Sequence, residues 1–164
     1  MSMIGNLLRV SNSELEEYLQ DSSFLENRVY DDEAEEDSNL VDIDKSWEGI
    51  FFLLTGQNIE SSDHPLARTL FSGQFIDEDQ DLGYGPAQYL TPEQVKEVNA
   101  EISLITLDEI SKNYDPKKMS ELEIYPNIWN EEESLGYLTD YFKTVQEIYS
   151  EAARSNQAII TFLN

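Results

Sequence analysis

The apolar stretch WEGIFFLL, residues 47–54, constrains the fold more than any other part of this sequence. Its large side chains repeat at the i, i+3, i+4 and i+7 spacing of one helix face, and two further apolar residues widen that face to most of the circumference. The stretch therefore predicts a helix buried in the core on most sides. Gly49 favours close packing against another backbone, and Gly56 is predicted to end the helix.

Cap residues elsewhere in the chain predict further helices. The longest is predicted to begin near Asn130 and to run for about six turns. It would carry Glu131, Glu132 and Glu133 in its first turn, where the helix dipole favours negative charge. The remaining helical segments are predicted to start at Ser11, Pro65, Thr91, Thr106 and Asp115, where a hydroxyl, a carboxylate or a first-turn proline serves as the start signal.

Strand-forming segments lie at both ends of the chain. Residues 3–10, MIGNLLRV, predict a strand buried more on one face, and residues 157–163, QAIITFL, predict a buried strand. Residues 84–90, YGPAQYL, predict a further extended segment. We therefore expect a single α+β domain over residues 1–164. Its small sheet would include the N- and C-terminal strands and be covered by about six helices, with one long C-terminal helix.

Charge is the most extreme property of the composition. The chain has 34 Asp and Glu residues against 10 Lys and Arg, a formal net charge of −24. Such a field repels nucleic acid and anionic lipid, so neither nucleic acid nor a membrane is an expected partner. It attracts a basic protein or a cation, although solubility alone is the simpler explanation. Residues 31–39, which begin with the run DDEAEED, predict a solvated acidic loop.

Location and cofactors are constrained by what the sequence lacks. It contains no cysteine, which excludes disulfides, thiolate catalysis and zinc sites built on thiolates. Residues 1–10 are too short and too polar for a secretory signal. The longest apolar run, IFFLL, is far below the ~20 residues that span a bilayer. We expect a cytoplasmic protein without a cofactor.

Two familiar site patterns are incomplete. His64, the only histidine, follows Asp63, but adjacent residues rarely form a catalytic dyad, so a loop or cap role is expected. Residues 77–81, DEDQD, have the alternating acids of a calcium loop. Leu82 stands in place of the required glycine, and Gln88 in place of the bidentate glutamate. No metal site is predicted.

The charged residues just before the core helix form the first candidate site, a ligand cleft. A structural role is the alternative. Asp44 stands where the helix needs an N-cap, and Lys45 is placed to form a buried ion pair with Asp42 or another carboxylate. The members of this candidate cleft are Asp42, Asp44, Lys45, Trp47 and Tyr125.

The second candidate site is the aromatic segment EIYPNIW, residues 123–129. Here Tyr125, Pro126 and Trp129 form a predicted interaction surface. Aromatic side chains beside a proline also commonly fill the end of a core, and this alternative stays open.

Three segments together resemble a known family. They are DIDKSW…FLLTG (residues 42–56), YGPAQYLTPEQV (84–95) and MSELEIYP…W (119–129). The combination is similar to the YfbM-like family of uncharacterised bacterial proteins. The resemblance implies an α+β fold and a bacterial, cytoplasmic protein, and it implies no activity and no catalytic residue. The positions that fit the family pattern are Asp42, Asp44, Lys45, Trp47, Thr55, Gly56, Tyr125 and Pro126.

Two classes of function follow from the sequence. The first is a non-enzymatic binding protein with a basic partner, for example a nuclease toxin that it neutralises, because opposite charges accelerate and orient association. The second is a small enzyme or small-molecule-binding domain that uses a carboxylate–lysine cleft. The first is favoured because no activated nucleophile or base is recognisable.

Overall fold

The computed structural model describes residues 2–31, 36–60 and 62–164. In this part, the chain forms seven α-helices, two 3₁₀ segments and one four-stranded antiparallel sheet. Residues 32–35 of the predicted acidic loop at 31–39 lie outside the described residues. No helix that the structure describes has both the length and the apolar character needed to cross a membrane.

Both terminal strands belong to the sheet, as predicted, and they lie side by side in its middle. They pair antiparallel from Gly5 opposite Leu163 to Val10 opposite Ala158. A short strand pairs with the outer edge of each, which gives the order β2-β1-β4-β3. The four strands are β1 (Gly5–Val10), β2 (Leu40–Asp42), β3 (Gln88–Leu90) and β4 (Ala158–Leu163).

The helices follow most of the predicted start signals. The side chain of Ser11 and that of Thr91 each accept a hydrogen bond from the backbone N–H three residues later, as the capping box requires. The helices are α1 (Asn12–Gln20), α2 (Ser23–Val29), α3 (Trp47–Thr55), α4 (Pro92–Ile102), α5 (Leu107–Ser111), α6 (Pro116–Glu121) and α7 (Ser134–Arg154), and the 3₁₀ segments are Asp44–Ser46 and Pro65–Thr69. Helix α2 and strand β2 were not predicted.

The long C-terminal helix starts later than the sequence indicates. Helix α7 begins at Ser134, so Glu131 and Glu132 precede the helix and Glu133 is its N-cap residue. The Ser134 hydroxyl donates to the backbone oxygen of Ile128 at 2.5 Å and so links the start of the helix to the non-helical residues 128–133. The predicted start at Asn130 is therefore wrong, whereas the length and the buried apolar stripe of the helix are confirmed.

Helix α3 is the predicted core helix. All its residues from Trp47 to Leu54 are buried, and Gly56 ends it in the left-handed conformation with a φ of 72°. Gly49 meets side chains rather than another backbone. A Cβ atom at this position would lie 2.5 Å from Leu138 Cδ2 and 2.7 Å from Trp129 Cη2, so the glycine provides the space that these two side chains fill.

The sheet is covered on both faces, which differs from the prediction that the first strand is buried more on one side. Leu7 belongs to the large core formed by helices α3, α4 and α7, and Leu8 to a second core on the opposite face. The second core contains side chains from α1, α2 and the segment 76–87. Helix α2, which was not predicted, contributes Leu25 to this second core.

Candidate functional site

Asp44 does not cap the core helix. It begins the 3₁₀ segment with a positive φ of 53°, and its Oδ2 accepts a hydrogen bond from the Tyr137 hydroxyl at 2.7 Å. Ser46 occupies the N-cap position of α3, and its side chain makes no cap hydrogen bond. The predicted capping role of Asp44 is wrong because the tyrosine hydroxyl of α7 binds its carboxylate instead.

The predicted ion pair between Lys45 and Asp42 is also wrong. Asp42 Oδ1 accepts the backbone N–H of Asp44 at 2.6 Å, and the backbone N–H of Lys45 donates to the Tyr137 oxygen at 3.1 Å. No carboxylate in the described ranges forms an ion pair with the Lys45 ammonium group. Asp42, Asp44 and Lys45 therefore belong to a hydrogen-bonded cluster around Tyr137.

The tyrosines of this cluster have pKa values raised above the ordinary value of tyrosine. Burial raises the pKa of Tyr137 above its ordinary value, and its hydrogen bond to Asp44 raises that pKa further. Burial also raises the pKa of Tyr141, whose ring centroid lies 5.2 Å from that of Tyr137, and the negative charge of Asp44 adds to this effect. Both hydroxyls stay protonated at neutral pH, and the hydrogen bonds of Tyr137 join the start of α3 to α7.

Trp47 and Tyr125 are the two members of the predicted cleft that the structure brings together. Their rings stack with centroids 5.4 Å apart and planes 25° apart. Both also hold the N-terminal segment. Trp47 Nε1 donates to the Met3 backbone oxygen at 2.9 Å, and the Met3 backbone N–H donates to the Tyr125 hydroxyl at 2.9 Å.

Trp129 is not part of a surface. It is 1% exposed, and its Nε1 donates to the Ile124 backbone oxygen at 2.8 Å. The prediction that it belongs to an interaction surface is therefore wrong, and the alternative of a core-filling aromatic applies to it. Tyr125 and Pro126 are half-buried and retain some access to solvent.

A cleft of about 400 Å³ opens beside the Trp47–Tyr125 pair. We call it the Glu48 cleft. Three carboxylates line it, those of Glu48, Glu60 and Glu123, and no Lys, Arg or His is present among its described lining residues. Its remaining lining residues are Met3, Asn58, Ile59, Tyr84, Leu122 and Leu163.

The wall of the cleft includes exposed apolar surface. Ile59 and Tyr84 are each 38% exposed, which is high for side chains of this size. A second, narrower cavity of about 40 Å³ shares Trp47, Tyr84 and Leu163 with the Glu48 cleft. The cleft therefore combines negative charge with aromatic and aliphatic walls, the composition of a binding pocket with a few polar groups.

Glu48 is the most constrained carboxylate of the cleft. It is 6% exposed, and its Oε1 accepts the backbone N–H of Tyr125 at 2.8 Å, while Oε2 accepts that of Ile59 at 3.4 Å. Burial raises the pKa of Glu48, against the lowering effect of these two N–H donors, and the charge of Glu60 raises it further. Glu48 thus connects two separate segments of the lining, at Ile59 and at Tyr125.

Glu48 was not predicted as a site residue, although the sequence contains a signal for it. It is the one charged residue inside an otherwise apolar stretch, 47–54, that was predicted to be buried on most sides. A charged residue in such a stretch must find polar partners or a functional role. Ile59 and Tyr84 carry no comparable signal, because their proximity to Glu48 depends on the folded chain.

The other site patterns of the sequence have structural explanations. His64 Nδ1 accepts the backbone N–H of Leu66 at 3.0 Å, which is the expected cap role. Asp77 accepts hydrogen bonds from the Ser22 hydroxyl and from the backbone N–H of Asp79, and Asp81 from two glycine N–H groups. Within the described ranges, no three His, Asp or Glu side chains lie close enough together to hold a metal ion.

Glu48 makes stability depend on pH with a definite sign. Because burial raises its pKa above the unfolded value of about 4.3, the folded protein binds this proton more tightly than the unfolded chain does. Its contribution to stability is fully present below the unfolded pKa and is lost as the pH rises through the folded pKa. The glutamine side chain of the Glu48→Gln variant has no group that titrates in this pH range. The free energy of unfolding of wild type minus that of the variant is therefore expected to increase as the pH falls.

Urea unfolding of both proteins between about pH 7 and pH 4 measures this difference. Subtracting the two curves removes the contribution of the other carboxyl groups, which both proteins share. A difference that stays constant or decreases on acidification would contradict the assignment of a raised pKa to Glu48.

The fold and the cleft together define the class to which this protein belongs. It is a single-domain α+β protein with a four-stranded antiparallel sheet covered on both faces. Beside its core helix it carries an aromatic cleft lined by carboxylates.

The chain belongs to the family described as "Domain of unknown function (DUF1877)", whose sequence profile matches residues 1–162. It is similar in structure to YfbM from Escherichia coli, a protein of unknown function, with a TM-score of 0.74 and 19% sequence identity over 98% of this chain and 99% of that chain. This similarity shows the fold and confirms the YfbM-like resemblance of the sequence. No protein with a curated description matches this chain.

Proposed function

We propose that this protein is a non-enzymatic binding protein whose Glu48 cleft receives a basic partner protein. The observation that supports this most directly is the composition of the cleft. Its described lining has three carboxylates and no cationic side chain, and it includes the exposed apolar residues Ile59 and Tyr84. Interfaces of this kind use apolar contacts for affinity and complementary charge for orientation.

The charge of the whole molecule supports the same partner. A formal net charge of −24 produces a field that accelerates encounter with a basic protein and repels nucleic acid and anionic membranes. A basic nuclease toxin, neutralised by this protein in the bacterial cytoplasm, is a partner of this type. The family resemblance and the acidic field are compatible with that role, and the proposal itself requires only a basic protein.

The alternative function, catalysis or metabolite binding in a carboxylate–lysine cleft, has less support. It needs Lys45 beside the acids of the cleft, whereas Lys45 lies in the Tyr137 cluster and is absent from the lining of the Glu48 cleft. The carboxylates of the cleft are therefore arranged for attraction of a cation rather than for a shared proton transfer with a lysine.

Binding of a defined lysine-rich peptide tests the proposal. We expect measurable affinity at low ionic strength that decreases as salt is added, because salt screens exposed charges. The double variant Glu60→Gln/Glu123→Gln is expected to bind about two- to thirtyfold more weakly, since each exposed ion pair contributes about 0.2–1 kcal/mol. Calorimetric titration measures both effects, and a glutamate-rich peptide of equal length is the negative control.

A matched variant distinguishes binding at the Glu48 cleft from attraction by the net negative charge of the whole molecule. Glu17 and Glu101 are exposed and do not line the cleft, so Glu17→Gln/Glu101→Gln removes the same amount of charge elsewhere. The proposal requires that the cleft variant loses clearly more affinity than this control. Equal losses would show attraction by net charge alone, and absence of binding at low salt would reject a basic partner.

A further inference from the structure

Glu48 has no cationic partner in the part of the chain that the structure describes. It is 6% exposed, and the hydrogen bonds recorded for its oxygens come from two backbone N–H groups. Among the residues that the structure describes, no Lys, Arg or His forms an ion pair with it. An ionised carboxylate that is removed from water without a cation is costly, and a cationic ligand that enters the cleft would compensate this charge.

The geometry favours an organic cation over a metal ion. In the described part of the chain, no three acidic or histidine side chains come close enough to bind a metal ion, although three carboxylates line this one cleft. Carboxylates too far apart to share a small ion are suited to a ligand with an extended stem. The aromatic and aliphatic walls can contact such a stem, and the faces of tyrosine rings attract the cation itself.

The size and the hydrogen-bonding capacity of the Glu48 cleft are also suited to an organic cation. A volume of about 400 Å³ lies within the usual range of small-ligand pockets, about 300–1,000 Å³. Each oxygen of Glu48 accepts one N–H from the backbone, and a carboxylate oxygen has two acceptor positions. One position on each oxygen remains for N–H donors of a ligand.

We propose that the Glu48 cleft receives a single cationic side chain of the partner, a lysine ammonium or an arginine guanidinium group, and that Glu48 is the residue that binds its charge. This inference rests on the proposed function and adds to it the recognised chemical group and the recognising residue. Trp47, Tyr84 and Tyr125 contact the stem of the bound side chain.

Three small probes test the inference. They are the N-acetyl methylamides of lysine, of arginine and of Nε-acetyl-lysine, the last of which is uncharged and serves as the matched control. Binding is followed by NMR through the two indole N–H signals. Trp47 lines the cleft, whereas Trp129 is 1% exposed in the core and reports any general change. We expect the lysine probe, the arginine probe or both to shift the Trp47 signal and to leave the Trp129 signal in place.

Glu48→Gln keeps the size of the side chain and removes its charge. We expect it to weaken binding of the cationic probes at least tenfold, whereas Glu17→Gln leaves it within twofold of the wild type. If Glu48→Gln does not fold, intermolecular nuclear Overhauser contacts in the wild type replace it. Contacts between the probe methylene next to the cation and the rings of Tyr84 or Tyr125 would support the inference.

The outcomes separate this inference from the proposed function. If the lysine-rich peptide binds at the cleft but the cationic probes do not shift Trp47, the single-side-chain inference is overturned and the proposed function stands. The same conclusion follows if the uncharged probe binds as well as the charged ones, or if Glu48→Gln binds them unchanged. If neither peptide nor probes bind, both proposals fail.

Discussion

Replacing Trp129 with alanine is expected to lower the free energy of unfolding by about 3–5 kcal/mol. The side chain is 1% exposed, and its ring packs where Gly49 leaves space in the core helix. Truncation removes a large apolar surface from the core, creates a cavity and leaves the Ile124 backbone oxygen without the indole N–H that binds it at 2.8 Å. We expect the urea concentration at the midpoint of unfolding to fall, with little change in the slope of the unfolding free energy against urea concentration.

Two single variants and one double variant test whether the loss comes from the packing of Trp129 in the core. Leu104 is 77% exposed, so Leu104→Ala is expected to change stability by no more than about 0.5 kcal/mol. Gly49→Ala alone is expected to cost about 1–3 kcal/mol, because its Cβ would clash with Trp129 and Leu138. In the Trp129→Ala background one of these clashes is absent, so the double variant should be more stable than the sum of the two losses predicts. Additive losses would show that Trp129 and Gly49 do not pack against each other.

The elements that could be predicted from the sequence are those specified by local chemistry. The burial of residues 47–54 follows from the spacing of their apolar side chains, and the starts of α1 and α4 follow from capping residues three positions apart. The presence of both terminal strands in one sheet was also predicted, because both ends of the chain carry buried, strand-forming segments, whereas their antiparallel pairing is known only from the structure. Helix α2 was missed because it lacks a clear start signal: it begins at Ser23, and its N-cap residue Ser22 makes no side-chain cap hydrogen bond.

The candidate site could be predicted only in part, because distant residues determine it. Trp47 and Tyr125 were placed together correctly, but Glu48 meets its two partners across 77 and 11 positions of the chain. Asp44 had the right residue type for a cap, and the hydroxyl of Tyr137, 93 positions away, bound its carboxylate instead. Local patterns indicate which side chains need a partner, and the tertiary fold decides which partner they find.

Replacing Ile160 with alanine is expected to lower the free energy of unfolding by about 2–5 kcal/mol. Ile160 lies in the central strand β4, opposite Leu8 on one side and Tyr89 on the other, and its side chain is fully buried in the second core. The sequence predicts a buried strand over residues 157–163, and truncation of a buried side chain is expected to be costly. The size of the loss therefore measures how completely α1, α2 and the segment 76–87 cover the sheet.

Ile160→Val is the matched control, because it removes one methylene group and keeps the branched side chain. It is expected to cost about 0.5–1.5 kcal/mol, clearly less than the alanine variant. A loss below about 1 kcal/mol for Ile160→Ala would be typical of a partly exposed strand position and would contradict a closed second core. Because both cores share the central strands, we also expect the two faces of the sheet to unfold as one cooperative unit, with coincident transitions in fluorescence and circular dichroism.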